Sequence, residues 1–341
     1  MSVLQILGSA GDGGAETYFL SLTRALAADG LGQACAIRLH DARQAALTAS
    51  GLPVTTAPFG GPFDFKSRGV VKRLARETGA KALIAWMSRA ARFTPKGPWA
   101  RIGRLGGYYD LKYYRRFDVL VGNTRDIQTW MIRKGWPEDK ALYIPNFAEP
   151  GPEAALARAS LDTPEGVPLF LALGRLHESK AHDVTLKALA QLPDAHLWIA
   201  GSGPLEAELK LLAAELGVAR RVRFLGWRTD ASALYRAADA CLFPSRYEPL
   251  GNVVIQAWAH GLPIVAAASK GPKDLISNNM DGLLVPVDDV DALVDAARRL
   301  IGETDLGPRL AEAGSKRVAD EFSKAQVVAE WRKLLGRYGA A

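Results

Sequence analysis

Two basic side chains follow a predicted buried strand in the second half of the chain. The strand covers Leu169–Leu173, and the loop after it presents Arg175 and Lys180 before a helical pattern begins. Fixed cations at the carboxyl end of a strand suit a diphosphate, because they supply positive charge and hydrogen bonds to its oxygens. The pair predicts a binding site for a phosphorylated ligand, although either cation alone would more often be a surface residue.

One glutamate and one glutamine flank a second segment where chemistry can be expected. Glu248 lies in a loop ahead of a helix predicted over residues 251–260, and Gln256 follows eight positions later, one turn after Asn252. The carboxylate and the backbone amides near residues 251–253 would face the same ligand. Taken singly, a loop glutamate is usually solvated and a helical glutamine is usually structural, so the prediction depends on the combination.

Two glycine-rich turns connect predicted strands to predicted helices. Residues 8–16, Gly-Ser-Ala-Gly-Asp-Gly-Gly-Ala-Glu, permit close approach to the backbone, and the helix start offers free amides to an anion. This turn is not a G-x-G-x-x-G dinucleotide fingerprint, because position 16 is glutamate. Residues 200–204, Ala-Gly-Ser-Gly-Pro, form a similar connection. An ordinary tight turn without a ligand would have the same features in both places.

Short apolar runs alternate with helical patterns along nearly all of the 341 residues. Such alternation predicts parallel sheets built from right-handed β-α-β units. The predicted strands are residues 3–7, 33–39, 82–86, 119–123, 142–144, 169–173, 196–200, 222–225, 240–243, 263–267 and 282–285. Residues 145–168 contain five prolines and interrupt the pattern, so we place a domain boundary there. Ligands would bind in a cleft between the carboxyl ends of the strands of two doubly wound domains.

The net charge of +7 is unevenly distributed. Residues 1–150 hold 21 Lys and Arg against 12 Asp and Glu, whereas residues 151–341 hold 22 against 24. Within residues 57–117 the basic side chains number 14 and the acidic ones 3. This asymmetry indicates an anionic partner for the first half, namely a membrane surface, a nucleic acid or an acidic glycolipid. A solvated basic face without a partner is the alternative.

Several classes of protein are disfavoured by composition. Cys35 and Cys241 are the only cysteines, so there is no disulfide framework, and a reducing, cytosolic compartment is expected. The first residues have no basic leader and indicate a strand rather than a signal peptide. No run approaches the ~20 apolar residues of a membrane span. His177 and His182 lack a convincing metal-ligand spacing, and no nucleic-acid-binding motif is present.

Seven motifs together resemble the retaining glycosyltransferases of family 4, which have the GT-B fold. In chain order they are GGAE at 13–16, IPN at 144–146, GRL with a lysine at 174–180, AGSGP at 200–204, VRFLG at 222–226, EPLGNVVIQA at 248–257 and HGLPIVA at 260–266. The likeness covers nearly the whole chain and is greatest to bacterial enzymes of lipopolysaccharide or envelope-glycolipid assembly. It implies an α/β fold with two doubly wound, Rossmann-like domains facing each other across a cleft.

The resemblance also implies how the domains divide the work. Residues 1–150 would form an acceptor-binding domain and residues 151–321 a nucleotide-sugar-binding domain. Residues 322–341 would form a final helix that crosses back to the first domain. Ser88, Arg89 and Arg92 would shape the acceptor wall, where many relatives carry a histidine that this chain lacks.

Arg175, Lys180 and Glu248 are the catalytic residues that the resemblance implies. The two cations would hold the diphosphate and stabilise the leaving phosphate, while Glu248 would bind hydroxyls of the donor sugar. The implied donor-binding residues are Gly14, Gly201, Phe224, Leu225, Leu250, Gly251, Asn252 and Gln256. At Gln256 the family has a second glutamate, which grips both ribose hydroxyls. A glutamine loses charge-assisted, bidentate hydrogen bonding, and donor affinity would fall by about 1–3 kcal/mol unless the donor differs.

The function implied by the resemblance is retaining, metal-independent hexosyl transfer without a cofactor. The donor would be a nucleotide-diphosphate sugar, with UDP favoured, and the acceptor a lipopolysaccharide-core or other envelope glycolipid. We expect a cytoplasmic protein, peripheral at the inner membrane face, whose basic first domain meets anionic lipid and binds no nucleic acid. A helix over residues 65–76 would sit on lipid or pack on its own sheet. A nucleotide-sugar 2-epimerase and a non-catalytic glycolipid-binding relative are the alternatives.

Overall fold

The computed structural model describes residues 1–11, 13–61 and 63–341, and within them the chain forms two compact units. The first unit combines Met1–Asn146 with Lys324–Ala341, and the second is Phe147–Ser323. The division between Asn146 and Phe147 falls within the proline-rich segment 145–168, four residues before the end of the domain expected over residues 1–150. Each unit is a parallel sheet with helices, so the predicted α/β class with two Rossmann-like domains is confirmed.

The first unit contains a seven-stranded sheet in the order β3-β2-β1-β4-β5-β6-β7, and all of its paired strands are parallel. The strands are β1 (Val3–Leu7), β2 (Gln33–Arg38), β3 (Val54–Ala57), β4 (Ala82–Trp86), β5 (Ala100–Leu105), β6 (Val119–Gly122) and β7 (Ala141–Tyr143). β1 and β4 are buried throughout, as apolar strands covered on both faces must be. The order reverses between β1 and β4, so the loops after these two strands are neighbours.

Five helices follow strands of this sheet. They are α1 (Gly14–Ala28), α2 (Asp41–Thr48), α3 (Lys66–Glu77), α4 (Met87–Phe93) and α5 (Arg125–Arg133). α5 shows the local logic of a helix start, because the Thr124 side chain accepts a hydrogen bond from the Ile127 amide at 3.0 Å. α4 begins directly after β4 without an intervening loop, and it places residues 88–92 at the carboxyl end of the sheet.

The second unit contains a six-stranded parallel sheet in the order β10-β9-β8-β11-β12-β13. The strands are β8 (Leu169–Leu173), β9 (His196–Ala200), β10 (Val222–Phe224), β11 (Ala240–Phe243), β12 (Ile264–Ala267) and β13 (Leu283–Val285). The helices are α6 (His182–Ala190), α7 (Glu206–Glu215), α8 (Ala231–Ala237), α9 (Asn252–Ala259), α10 (Lys270–Leu275), α11 (Val290–Gly302) and α12 (Leu306–Glu321). Here the order reverses between β8 and β11, which brings together the loops that carry Lys180 and Glu248.

The last helix, α13 (Lys324–Gly336), belongs to the first unit although the second unit precedes it in sequence. It buries five side chains: Val327, Val328, Trp331, Leu334 and Leu335. Arg332 forms an ion pair with Asp29 at the end of α1, with 3.3 Å between Nε and Oδ2. No helix in the described ranges combines the length and the apolarity needed to cross a bilayer.

Candidate functional site

The loops after β8 and β11 meet through a side-chain ion pair. Lys180 Nζ contacts Glu248 Oε2, and the Tyr247 amide donates to the Ser179 carbonyl at 3.2 Å. The ammonium also lies 5.5 Å from the centroid of the Phe243 ring. Both charged side chains keep a small exposed fraction, 22% for Lys180 and 14% for Glu248, so a ligand can reach them.

Glu248 is also held by the backbone ahead of α9. Its Oε1 accepts hydrogen bonds from the amides of Leu250, at 3.4 Å, and Gly251, at 3.2 Å. Gly251 has φ +86°, a left-handed conformation that favours glycine, and α9 begins at the half-buried Asn252. The Lys180 ammonium and the two amides therefore fix the orientation of the carboxylate. A carboxylate held in this way is suited to accept hydrogen bonds from a ligand.

Arg175 is exposed on the same β8 loop, and its side chain makes no hydrogen bond or ion pair within the described residues. The loop around it is closely packed against the turn after β9. A Cβ on Gly201 would lie 1.9 Å from the Gly174 carbonyl oxygen, and one on Gly203 would lie 2.3 Å from the Leu176 carbonyl oxygen. Both glycines are therefore required by the packing of these two turns, and the packing explains Gly201 without any ligand.

A third cation, Arg246, which the sequence analysis did not single out, fixes the geometry of these loops. Arg246 forms a bidentate pair with Asp183, at 2.9 and 2.8 Å, and donates to the Glu178 carbonyl at 2.9 Å. Its Nε contacts Asp288 at 2.5 Å. Burial alone would raise the pKa of Asp183, but the Arg246 guanidinium lowers it overall. Arg246 thus ties the β11 loop to the start of α6, on which the position of Lys180 depends.

His182 is the first residue of α6 and is buried beneath the β8 loop. Its Nε2 lies 3.3 Å from the Gly174 carbonyl oxygen, which can only accept, so Nε2 carries the proton. Nδ1 is buried without a partner in the described part of the chain. Burial, aided by the Lys180 charge, lowers the pKa of His182 to about 4, so the ring is neutral at pH 7. His182 supports the loop and does not titrate near neutrality.

The side-chain oxygen of Gln256 forms a hydrogen bond inside the second unit. Its Oε1 accepts from the hydroxyl of the buried Tyr235 at 3.0 Å, and the Tyr235 ring stacks on His260 at 4.6 Å. His260 Nδ1 in turn donates to the Gln256 carbonyl at 2.7 Å. One lone pair of the side-chain oxygen is therefore already used before any ligand arrives. No sequence pattern predicts this contact, because Tyr235 lies 21 residues away on another helix.

The remaining predicted donor-binding side chains lie near the end of β10. Phe224 and Leu225 are half-buried, and the Lys210 ammonium lies 5.8 Å from the Phe224 ring centroid. Leu225 packs beside the core cluster that contains Trp198 and Phe243. Their surfaces are apolar and partly open, as the lining of a base pocket would be.

The predicted residues of the first unit lie at the carboxyl end of its sheet. Gly14 begins α1, and the buried Arg43 holds the preceding turn by donating to the carbonyls of Ser9, at 2.9 Å, and Gly11, at 2.6 Å. Asp12, within the predicted glycine-rich turn, lies outside the described residues. Gly14 does not belong to the unit that carries Lys180 and Glu248.

Ser88, Arg89 and Arg92 all lie on α4. Arg89 Nη1 donates to the Phe59 carbonyl at 3.1 Å, and the Arg92 carbonyl accepts from Arg68 at 2.8 Å. Both arginines are exposed, and Ser88 is half-buried. The three side chains share one short helix at the carboxyl end of β4, where an acceptor wall was predicted.

Comparison with known proteins gives the family. The model for "Glycosyl transferases group 1" matches residues 167–303. The lipopolysaccharide core biosynthesis glycosyltransferase LpsE of Rhizobium meliloti is 34% identical over 343 residues, covering 95% of this chain and 96% of that protein. The chain belongs to this glycosyltransferase family. LpsD of the same organism is 33% identical over 332 residues, covering 96% of both proteins.

The fold of this glycosyltransferase agrees with that of solved relatives. Anabaena Alr3699/HepE in complex with UDP and glucose superposes with a TM-score of 0.86 at 20% identity, covering 99% of this chain and all of that one. The predicted GT-B resemblance is thereby confirmed. In residues 1–11, 13–61 and 63–341, no group of three or more His, Cys, Asp or Glu side chains could hold a metal ion.

Proposed function

We propose that this glycosyltransferase moves a hexose from UDP-hexose to a lipopolysaccharide-core glycolipid with retention of anomeric configuration. The observation that carries the proposal is the Lys180–Glu248 pair beside the Leu250 and Gly251 amides at the carboxyl edge of the second sheet. The names of LpsE and LpsD support the acceptor class, and the UDP bound by HepE supports the donor.

In the proposed reaction, the cations act on the departing diphosphate. The Arg175 side chain has no ion-pair or hydrogen-bond partner among the described residues, and Lys180 is paired with Glu248 beside the Phe243 ring, so both cations can turn to phosphate oxygens. As the bond between the sugar and the phosphate lengthens, negative charge grows on the phosphate. Fixed cations and amide donors stabilise that charge, and electrostatic stabilisation of this kind is usually the largest contribution to catalysis.

Retention follows from substitution on one face of the sugar. The acceptor hydroxyl oxygen forms the new bond to the anomeric carbon on the side from which the phosphate leaves, and the leaving phosphate takes the hydroxyl proton. Glu248 does not act as a nucleophile in this scheme, because Lys180 and two amides already bind its oxygens. It instead accepts hydrogen bonds from hydroxyls of the donor sugar. No metal is required.

Sugar transfer to a lipopolysaccharide-core acceptor tests the proposal. We expect Arg175→Ala and Lys180→Ala to lower kcat by about 10²–10³-fold, the loss typical of one electrostatic stabiliser. Arg220→Ala and Lys187→Ala remove exposed cations of the same unit and should change the rate by less than about twofold. Transfer within a few-fold of wild type in both site variants would refute the assignment.

The anomeric configuration of the product and the identity of the donor are measured in separate experiments. An α-linked product from an α-linked UDP-sugar, seen in the anomeric proton coupling, is expected, whereas inversion would exclude the substitution described. A thermal-shift screen with UDP-, GDP- and ADP-sugars identifies the base, with UDP expected. Release of an epimerised donor, or binding without release of UDP, would favour the two alternative functions.

We further propose that the first unit meets anionic lipid at the inner membrane face through residues 63–76. Phe63 and Phe65 are 87% and 82% exposed, and the exposed cations beside them are Lys66, Arg68, Lys72, Arg73 and Arg76. α3 itself does not offer its apolar side, since Val71 is fully buried and Val70 and Leu74 pack on the core. The Asp64 carboxylate accepts from the Gly60 and Ser67 amides at 2.8 and 2.9 Å, which leaves the two phenylalanines outside.

Flotation with vesicles measures this contact. Wild type should float with vesicles that contain anionic lipid and remain unbound with neutral ones, because each cation near the surface contributes up to ~1 kcal/mol. The double variant Phe63→Ser with Phe65→Ser, and the double variant Lys72→Glu with Arg73→Glu, should both lose binding. Leu211→Ser removes a comparably exposed apolar side chain, 66% exposed, from the second unit and should bind as wild type. Binding indifferent to lipid charge contradicts the proposal.

A further inference from the structure

The first unit contains a buried arginine without a carboxylate partner. Arg104 lies near the carboxyl end of β5, pairs in register with Trp86 and is only 2% exposed. Its guanidinium carbon lies 5.2 Å from the Tyr18 ring centroid and 5.1 Å from that of Trp86. Nη2 donates to the side-chain oxygen of Asn146. No Asp or Glu contacts it in the described part of the chain.

A buried charge of this kind normally requires a compensating anion. Arginine remains charged at neutral pH even when burial lowers its pKa, as it does here. The two aromatic faces and one amide oxygen stabilise the cation in part. Nε is buried without any acceptor among the described residues, and within them the guanidinium donates only from Nη2. Two of the three guanidinium nitrogens therefore lack an acceptor among the residues that the structure describes.

Other donors converge on the same place, at the start of the loop after β5. A Cβ built on Gly106 would lie 2.9 Å from Arg104 Nη1, 3.9 Å from Asn123 Nδ2 and 4.0 Å from the Tyr109 hydroxyl oxygen. Because glycine has no Cβ, the position that a Cβ of residue 106 would take is free of protein atoms, and these three polar groups border it. Asn123 is itself buried and follows β6, and its Nδ2 is the donor that faces Gly106.

We infer that Arg104, Asn123 and Tyr109 form a binding site for an anionic group, a phosphate or a carboxylate, carried by the acceptor. The guanidinium supplies Nη1 and positive charge, and the amide and the hydroxyl supply neutral hydrogen bonds, an arrangement that suits a planar or tetrahedral oxyanion. The site lies at the carboxyl end of the first sheet, where Trp86, the β5 partner of Arg104, is followed by α4. The inference rests on the proposed function for its acceptor, but anion binding can be measured without sugar transfer.

Two adjacent glycines provide a matched test. Gly106→Ala would place a methyl group against Nη1, whereas the nearest atom to a Cβ on Gly107 is Tyr109 Cζ at an ordinary 3.8 Å. Inorganic phosphate and acetate are titrated separately by calorimetry into each variant, on an Arg175→Ala background that removes the exposed cation of the second unit. We expect saturable binding of one anion, weakened about tenfold or more by Gly106→Ala and unchanged by Gly107→Ala. The anion that binds identifies the group on the acceptor.

A second variant distinguishes a loss of anion binding from misfolding. Asn123→Asp supplies an internal carboxylate at the site, so it should abolish anion binding and raise Tm, while Arg101→Gln removes a cation from the same strand and should do neither. Binding of neither anion to the parent protein, or equal binding to Gly106→Ala, Asn123→Asp and the parent, would overturn the inference. UDP release is followed in parallel on wild type. If wild type releases UDP but no anion binds here, the anion site is refuted and the proposed sugar transfer is unaffected. If an anion binds but no UDP is released, the proposed sugar transfer is refuted and the anion site is unaffected.

Discussion

The ion pair between Lys180 and Glu248 gives each residue a second role. In the free protein each neutralises the other, and in the proposed reaction the diphosphate takes over the ammonium that the carboxylate holds. Sequence patterns predicted both residues for the site but not their contact, because they are 68 positions apart. Only the order of the second sheet, with β8 beside β11, brings the two loops together.

Glu248→Gln therefore has opposite effects on nucleotide binding and sugar transfer. UDP alone should bind up to about fivefold more tightly, since a partly exposed ion pair that competes for Lys180 is lost. Transfer from the UDP-sugar should fall because the hydroxyls of the sugar lose a charged acceptor. Calorimetry with UDP and a transfer assay measure the two effects. A parallel loss of UDP affinity would show that Glu248 helps to bind the nucleotide itself.

Gln256 departs from the family pattern, and the structure shows that half of its acceptor capacity goes to Tyr235. In Gln256→Glu one carboxylate oxygen keeps the tyrosine hydroxyl and the other becomes available for ribose. We expect UDP affinity to rise about tenfold, within the 1–3 kcal/mol of a charge-assisted hydrogen bond. A 2′,3′-dideoxy analogue of UDP serves as control and should gain nothing. An equal gain for both ligands would mean that residue 256 does not reach the ribose.

At the scale of elements, apolar runs were sufficient to predict eleven of the thirteen strands in the described chain, whereas β3 and β5 escaped prediction. β3 is a four-residue edge strand that contains two threonines and only one buried side chain. β5 contains Arg101, Gly103 and Arg104, a composition that disfavours a buried strand. Arg104 is also central to the anion site inferred above, so the rules that relate local composition to strands failed where the fold buries an unusual charge.

The loop after β8 and the glycine-containing turn after β9 pack against each other, and the effect of substitutions at the glycines can be measured. Gly201→Ala should destabilise the protein by several kcal/mol and displace the Arg175 loop, because its Cβ would overlap the Gly174 carbonyl and φ is +152°. Gly226 pairs with Gly201 and also has a positive φ, of +63°, but no atom lies within 4 Å of its Cβ position. Gly226→Ala should cost only about 1–2 kcal/mol. Equal melting temperatures for the two variants would contradict this account.

The start of α6 gives a pH dependence with a definite sign. The pKa of His182 is about 4 in the folded protein, below its ordinary value of 6.5, so the unfolded chain binds the extra proton between these values. Stability should therefore fall as pH drops from 6.5 towards 4, by up to about 3 kcal/mol from this residue. Urea unfolding across this range should be less pH-dependent in His182→Gln than in wild type. Identical slopes would mean that His182 is already accessible to protons.

At the scale of the whole molecule, the chain begins and ends in the same unit. The side-chain hydroxyl of Ser2 donates to the Ala340 carbonyl at 2.7 Å, and α13 contacts α1. The family resemblance suggested a returning helix, but the sequence offered no local reason for it. An amphipathic helix shows only that one side is covered, and the surface that covers α13 lies some 300 residues away in the sequence.

Deletion of residues 324–341 should therefore damage the first unit and spare the second, which adjoins the cut. The loss of Trp331 alone, 1% exposed, would cost about 3–5 kcal/mol on replacement by alanine. Hydrogen exchange should rise in α1, β1 and β2 and remain unchanged in β8 and β9. Trp331→Ala should give the same pattern with smaller amplitude, whereas Lys333→Ala, an exposed change on the same helix, should give none. Loss of protection confined to the second unit would mean that α13 supports the domain it follows in sequence.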